Sequence, residues 1–371
     1  MSPSAAELAP GAAERPLFGL ERMWVVADRV WPSFQNQLVI EGEGSPDPEA
    51  LRRAVEAVLP AWPGARSRLV GALRAARWRA DGALPAVGGD VRLDPVRGPV
   101  VALDLAPGRV VVRAHHGVFD GRAAWAWVRD LGAVLRHAPV VGAHFAGVRD
   151  PGVASATPEP PADVALPVDA PADAAASPVW ARRTLHTSGR GLVARVAAAL
   201  AASRGDRLRI SVPVDLRDGP DAVCANLAGV ARLDVAPDDT PAAVDAQLHA
   251  ALAGDGPRGT LGSAEGLRGV PLWLLAWAGR REAEAGLARG RVRVSATLSN
   301  LGRQDASVLD HPGFVGRRLY WIPPVNPGSP AFLTLTGHAE GIELVVGLAA
   351  GLGDHGRAER LADELAARVS G

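Results

Sequence analysis

His115-His116-Gly117-Val118-Phe119-Asp120-Gly121 is the stretch on which the reading of this chain turns. Before it, Arg109–His115 alternates, with Val110, Val112 and Ala114 on one side. That period of two marks a half-buried strand. After it, Ala123, Trp127, Leu131 and Val134 recur at the spacing of an amphipathic helix. The stretch therefore bridges a strand end and a helix start. A strand end holds the backbone rigid and presents the next side chain at the sheet's rim. An imidazole there can take a proton near neutral pH and return it. Gly117 and Gly121 relieve steric limits where the chain bends. Asp120 lies four residues beyond His116, and that spacing alone does not bring it to the ring. For one isolated histidine a structural role is the plainer reading. Two histidines, an aspartate and a glycine in this fixed pattern favour a functional role over a structural one.

The remaining composition narrows the function classes. The chain has 371 residues, 48% of them hydrophobic, enough for one large or two ordinary domains with real cores. Forty basic residues balance forty acidic ones, so there is no long-range field for nucleic acid or anionic lipid. Every basic residue is arginine. The missing lysine rules out a Schiff base and a Walker-type phosphate loop. Cys224 is the single cysteine, which excludes disulfides and cysteine-based zinc sites and suits a small buried hydrophobe. His311, His338 and His355 lack metal-ligand spacing and read as solvated loop residues, so no metal site is expected. The N-terminal residues show no secretory leader. The longest apolar stretch, near residues 270–278, falls far short of the about 20 residues a membrane span needs. A cytoplasmic protein without a membrane span is the expectation.

The order of elements is mixed α/β. Gln35–Ile40 reads as a strand. Asp47-Pro48 opens a helix, with Asp as N-cap and Pro at the first helical position, and Leu51, Val55 and Leu59 along one face. Residues 150–177 are dense in Ala, Pro, Asp and Ser and lack periodicity, as a linker or surface crossover would. The division expected is an N-terminal lobe over 1–150, a linker over 151–178 and a C-terminal lobe over 179–371. In the second half, helices are expected over 192–202, 267–287 and 357–369, and one capped by Thr240-Pro241. Strands are expected over 208–214 and 291–298, with a hairpin of 331–337 and 342–348. Trp125, Trp127, Trp273 and Trp277 sit at helical spacings and are expected mostly in the core. Gly351-Leu352-Gly353-Asp354-His355-Gly356 fits a dinucleotide fingerprint in letters only, because the chain ends before a βαβ unit and its acidic residue can follow.

The HHxxxDG pattern resembles the active-site signature of the condensation-domain superfamily, which includes chloramphenicol acetyltransferase-like acyltransferases. Other segments are similar in the expected order. Leu51–Arg68 ends in Trp62-Pro63-Gly64-Ala65-Arg66-Ser67-Arg68, like the family's early helix and following turn. Val212-Pro213-Val214-Asp215-Leu216-Arg217 resembles its "vPvNLR" segment. Asn226-Leu227-Ala228-Gly229 stands in its "GNxxG" place, and Ser299-Asn300-Leu301-Gly302 matches the SNLG of the stand-alone branch. The departures are Asp215 for the usual Asn, Ala225 for the Gly before Asn226, and no DFGWG motif. The resemblance implies two chloramphenicol acetyltransferase-like lobes in a V around a tunnel. It implies catalytic roles in the His115, His116 and Asp120 signature, with His116 as the base. Asp120 would form an ion pair with Arg217. Gly121, Asn226, Ser299 and Asn300 would support the site or position substrate, Asn300 by holding the acyl carbonyl or the second lobe's crossover loop. The co-substrate would be an acyl-CoA or acyl-carrier-protein thioester, with no bound cofactor. The acceptor would be a small molecule bearing a hydroxyl or amine, in secondary metabolism, and the protein a monomer. Two alternatives stay open: the same fold turned to cyclisation, dehydration or epimerisation, and a non-catalytic binding module.

Overall fold

The computed structural model describes residues 13–32, 34–146, 148, 163–169, 177–217, 219, 223–253, 257 and 269–370. Most of the expected 151–178 linker lies outside them. Within it, Val164–Ala165 pairs antiparallel with Arg291–Val292.

Two large sheets organise the chain. The first contains β1 (Gln35–Gly44), β2 (Ala86–Val87), β3 (Val101–Ala106) and β4 (Arg109–His115). The second contains β5 (Val179–Leu185), β6 (Leu208–Asp215), β7 (Ala228–Val235), β8 (Ala296–Arg303), β10 (Ala331–Gly337) and β11 (Ile342–Leu348). It runs in the order β7-β6-β8-β10-β11-β5, with β6, β8 and β10 mutually parallel. The strand between β8 and β10 in sequence, β9 (Phe314–Ile322), belongs to the first sheet, whose order is β9-β1-β4-β3-β2.

That placement changes the expected division. Residues 179–371 do not form a lobe by themselves, because β9 pairs antiparallel with β1 from Phe314↔Gly44 to Ile322↔Gln37. Ala306, Val308, Leu309, Phe314, Leu319 and Trp321 bury into the core of the N-terminal half. The reason is local chemistry. Phe314, Leu319 and Trp321 face inward while Arg317 and Arg318 face out. Without β9, β1 would present an open row of backbone donors and acceptors at the sheet's edge.

The helices follow from their caps and apolar faces. α1 (Gly19–Val30) buries Val25, Val26 and Val30. In α2 (Pro48–Val58) the Asp47 carboxylate accepts from Glu49 N at 2.8 Å. Its buried face is Leu51, Ala54, Val55 and Val58; Leu59 starts a 3-10 turn and stays partly exposed, contrary to the spacing of four. α3 (Gly121–Leu135) buries Ala123, Trp127 and Leu131 against α2 and the first sheet's core. α4 (Leu192–Arg204), α5 (Pro241–Leu252) and α7 (His355–Ser370) cover the second sheet. Thr240 caps α5 by accepting from Ala243 N at 3.2 Å.

α6 (Leu272–Arg289) breaks an expectation. Trp273 and Trp277 are 68% and 56% exposed, whereas Trp127 is buried and Trp125 half-buried. The helix packs on α1 and on Arg291–Val292, and buries Ala283 and Gly286. Aromatic spacing marked a face without saying which face meets the core. The expected strand over 291–298 is likewise split, into Arg291–Val292 and β8. Nor are His311 and His338 solvated. His311 accepts from Asp47 N at 3.0 Å, and His338 Nε2 meets Glu343 at 3.0 Å, both imidazoles buried. No helix among the described residues is long and apolar enough to cross a membrane.

Candidate active site

β4 ends at His115, which pairs with Gln35 of β1 on the last rung. The next residue, His116, leaves the sheet and turns its ring into a cavity of about 1050 Å³ between the two sheets. His116 N still donates to Phe34 O at 3.3 Å, so the backbone is fixed at the point where the side chain becomes free. The tight bend is held by Val118 N and Phe119 N, which both donate to His115 O, at 2.9 and 3.1 Å. Close packing explains both glycines. A Cβ on Gly117 would lie 3.1 Å from the His115 ring, and one on Gly121 2.9 Å from the Leu301 side chain.

The imidazole of His116 is oriented through Nδ1, 3.1 Å from Phe119 O. A carbonyl can only accept, so a hydrogen bond to Phe119 O requires the hydrogen on Nδ1 and leaves the lone pair on Nε2. Asn36 and Asn226 bring their Nδ2 atoms to 3.1 and 3.3 Å of the same Nδ1. Each amide also has a carbonyl acceptor at 2.9 Å, Phe119 O for Asn36 and His116 O for Asn226. Trp24 stacks on the ring at 5.0 Å and 7°, and Phe34 lies 5.7 Å away at 22°. The ring is half-buried but hemmed in by protein. Burial pushes its pKa from 6.5 down to about 4, outweighing the Phe119 hydrogen bond and the Asp120 charge, which both favour the imidazolium. At neutral pH the ring is an uncharged base with one free nitrogen.

Asp120 does not touch the imidazole. Its Oδ1 caps α3 by accepting from Ala123 N at 2.8 Å, and its Oδ2 accepts from Leu227 N at 3.0 Å. Arg217, just beyond β6, closes on the same carboxylate, with Nη1 3.0 Å from Oδ2 and Nη2 3.0 Å from Oδ1. Both side chains are nearly sealed from solvent. Burial alone would raise the Asp120 pKa; the Arg217 charge and the backbone donors outweigh it and hold the group below the usual carboxylate range. Arg217 also donates to Val223 O and Ala225 O, at 3.2 and 2.9 Å, which fixes the segment carrying Asn226. The ion pair thus joins the two sheets' loops beneath the cavity.

The other expected site residues separate into those the structure brings to the cavity and those it does not. Asn226, Gly121 and Ser299 line it. Asn300 does not: it is exposed at the irregular end of β8, with Oδ1 accepting from Gly302 N at 3.0 Å. Its strand alternation turns it away from Ser299's face. Leu301 is the residue of that segment that reaches the N-terminal core. His115 likewise stands apart from the cavity. It is 1% exposed, accepts from Gly117 N at 3.1 Å and stands 3.6 Å from Asp28. It supports the bend and does not line the cavity.

Three positions had no signal read from the sequence. Asn36 stands on β1 between Gln35 and Gln37, and those polar flanks give no cue that its amide is buried. Glu21 and Trp24 share a face of α1 at a spacing of three. Glu21 pairs with Arg15 at 2.7 Å, closes the α1 cap through Phe18 N at 3.1 Å, and accepts from Asn226 N at 3.1 Å. It ties α1 to the loop that meets His116.

No family model matches this sequence, and neither does any curated protein. Solved structures do match over nearly the whole length. The epimerization domain from the third module of tyrocidine synthetase B is 13% identical, with 98% of this chain and 97% of that one covered and a TM-score of 0.62. Polyketide synthase associated protein 5 from Mycobacterium tuberculosis is 16% identical, with 97% and 99% covered and a TM-score of 0.58. A mutant of the starter condensation domain of rhizomide synthetase, in complex with C8-CoA and Leu-SNAC, is 13% identical, with 97% and 95% covered and a TM-score of 0.59. This chain has the condensation-domain fold. The mixed α/β architecture expected from its sequence is therefore the observed one, with β9 as the strand that crosses between the halves of the condensation fold.

Proposed function

We propose that this protein is an acyltransferase that moves an acyl group from a CoA or carrier-protein thioester to a hydroxyl or amine of a small acceptor, with His116 as general base. One observation carries the reading: His116 lines a large cavity with its Nδ1 3.1 Å from Phe119 O, and its Nε2 has no hydrogen-bond partner among the described residues. The likeness to a domain described in complex with C8-CoA and Leu-SNAC supports the same substrate class.

The acceptor O–H or N–H gives its proton to Nε2 as the heteroatom attacks the thioester carbonyl. The tetrahedral adduct collapses, the C–S bond breaks, and the thiolate recovers the proton from the imidazolium. A base with a pKa of about 4 is weak, so proton transfer accompanies attack and does not precede it. The ion pair of Asp120 with Arg217 and the amides of Asn36 and Asn226 position the ring and its loop.

The test is turnover of acyl-CoA with a panel of hydroxyl and amine acceptors, read as thiol released and acylated product formed. His116→Ala is expected to lower the rate by roughly 10²–10⁴-fold while circular dichroism stays unchanged. Full activity in that variant rejects the base. Thiol release without an acylated acceptor points to another reaction on the same fold.

A further inference from the structure

α6 presents two opposite faces. Leu275, Gly279, Glu282 and Gly286 line the cavity into which His116 turns. At about 3.6 residues per turn, Trp273, Trp277 and Arg281 fall on the far side of the helix. Trp273, Leu274 and Trp277 are exposed, although Leu272 beside them packs against the core of the N-terminal half. The exposed surface continues past the helix onto the turn Leu73–Ala75. Arg22 ties that turn to the start of α6, donating to Leu73 O at 2.9 Å and to Val270 O at 2.5 Å. Leu73 is 46% exposed at φ +51°, a left-handed backbone that a bulky residue rarely adopts. A strained turn that holds an apolar side chain in solvent, beside two exposed indoles, points to a contact outside the chain.

The charges around this patch identify the partner. Arg74, Arg280 and Arg281 are exposed beside the apolar side chains. A Cβ on Gly269 would lie 3.4 Å from Arg74 Nε, which places that guanidinium at the foot of α6. Arg281 lies 5.6 Å from the Trp277 ring centre. Neither Arg74 nor Arg281 has a carboxylate partner among the described residues, and Arg280 has only Glu284 at 3.9 Å. Indoles and leucines set among unmatched arginines fit the boundary of an anionic bilayer. Indoles settle there at headgroup depth, and guanidinium groups reach the phosphates while their stems stay among apolar atoms.

We propose that the outer face of α6, with the turn at Leu73, docks this protein on the surface of an anionic phospholipid bilayer. α6 then lies in the interface and the cavity stands directly behind it, one helix diameter of about 10 Å from the lipid. A net charge of zero supplies no long-range pull. Capture therefore depends on insertion of the indoles once the patch is close, with the arginines acting over about a Debye length.

The experiment is flotation of the full chain with two kinds of vesicle, phosphatidylcholine alone and phosphatidylcholine with about a third phosphatidylglycerol. The anionic vesicles are expected to bind the wild-type protein at least about fivefold more tightly, as one or two arginines near the surface supply. The double variant Trp273→Ala, Trp277→Ala should bind them at least about tenfold less. Arg281→Glu should keep the indoles but lose most of the preference for anionic lipid. Circular dichroism should stay unchanged in both variants, because the altered side chains are exposed. Wild-type protein that floats with neither vesicle overturns the proposal, as does a double variant that binds like wild type. Sedimentation velocity without lipid covers the competing occupant: a dimer that the double variant dissolves would assign this face to a second copy and overturn it too. These readouts involve no turnover, so they stand apart from the test of His116 as a base.

Discussion

Between pH 4 and pH 6.5 the folded and unfolded chains differ in what His116 carries. The unfolded imidazole takes a proton near its ordinary pKa of 6.5, whereas burial delays uptake in the folded protein to about 4. The unfolded state therefore binds more protons across this window, and the folded state loses stability as pH falls through it. The same shift sets the expected pH–rate profile: flat above about pH 5, then falling with a midpoint near 4. Quenched-flow product analysis across that range checks it, and a midpoint at 6.5 would mean the ring is solvated during turnover. His116 was readable because its motif is contiguous. Its partners were not, because Asn36 and Asn226 lie 80 and 110 positions away, and the Glu21 contact to Asn226 spans 205. Nothing in local spacing encodes contacts of that range.

At the scale of elements, the junction of β4 with α3 is held by one carboxylate with four duties. Asp120 caps α3, accepts from Leu227 N and takes both arms of Arg217. Removing the cation leaves a buried carboxylate unpaired, so Arg217→Ala should cost about 3–5 kcal/mol in urea denaturation. A loss under about 1 kcal/mol would mean that solvent reaches the pair. The bounds of β4, α3 and the β10–β11 hairpin were legible because period, cap and turn signals agree there. α6 was legible as a helix but not in its orientation. Its apolar residues lie on more than one side, and only its contacts with α1 and Arg291–Val292 show which side is covered.

For the whole molecule, the two cores are stitched by β9, which the second half of the chain lends to the first sheet. Sequence composition suggested two halves because a Pro- and Ala-rich segment separates them. It gave no hint that a strand returns, since pairing between Phe314–Ile322 and β1 leaves no mark in either segment alone. Leu319 is fully buried in that returned strand. Leu319→Ala should remove about 2–5 kcal/mol, and tryptophan fluorescence, with reporters in both halves, should still show a single transition. Two separated transitions would mean that the halves unfold independently.

The order of synthesis follows from this return. β1 is made early, but the strand that covers its edge leaves the ribosome only once Ile322 has emerged. Until then the nascent first sheet shows a bare rim to every neighbouring chain, so translation speed through residues 45–322 governs how long the protein is open to mispairing.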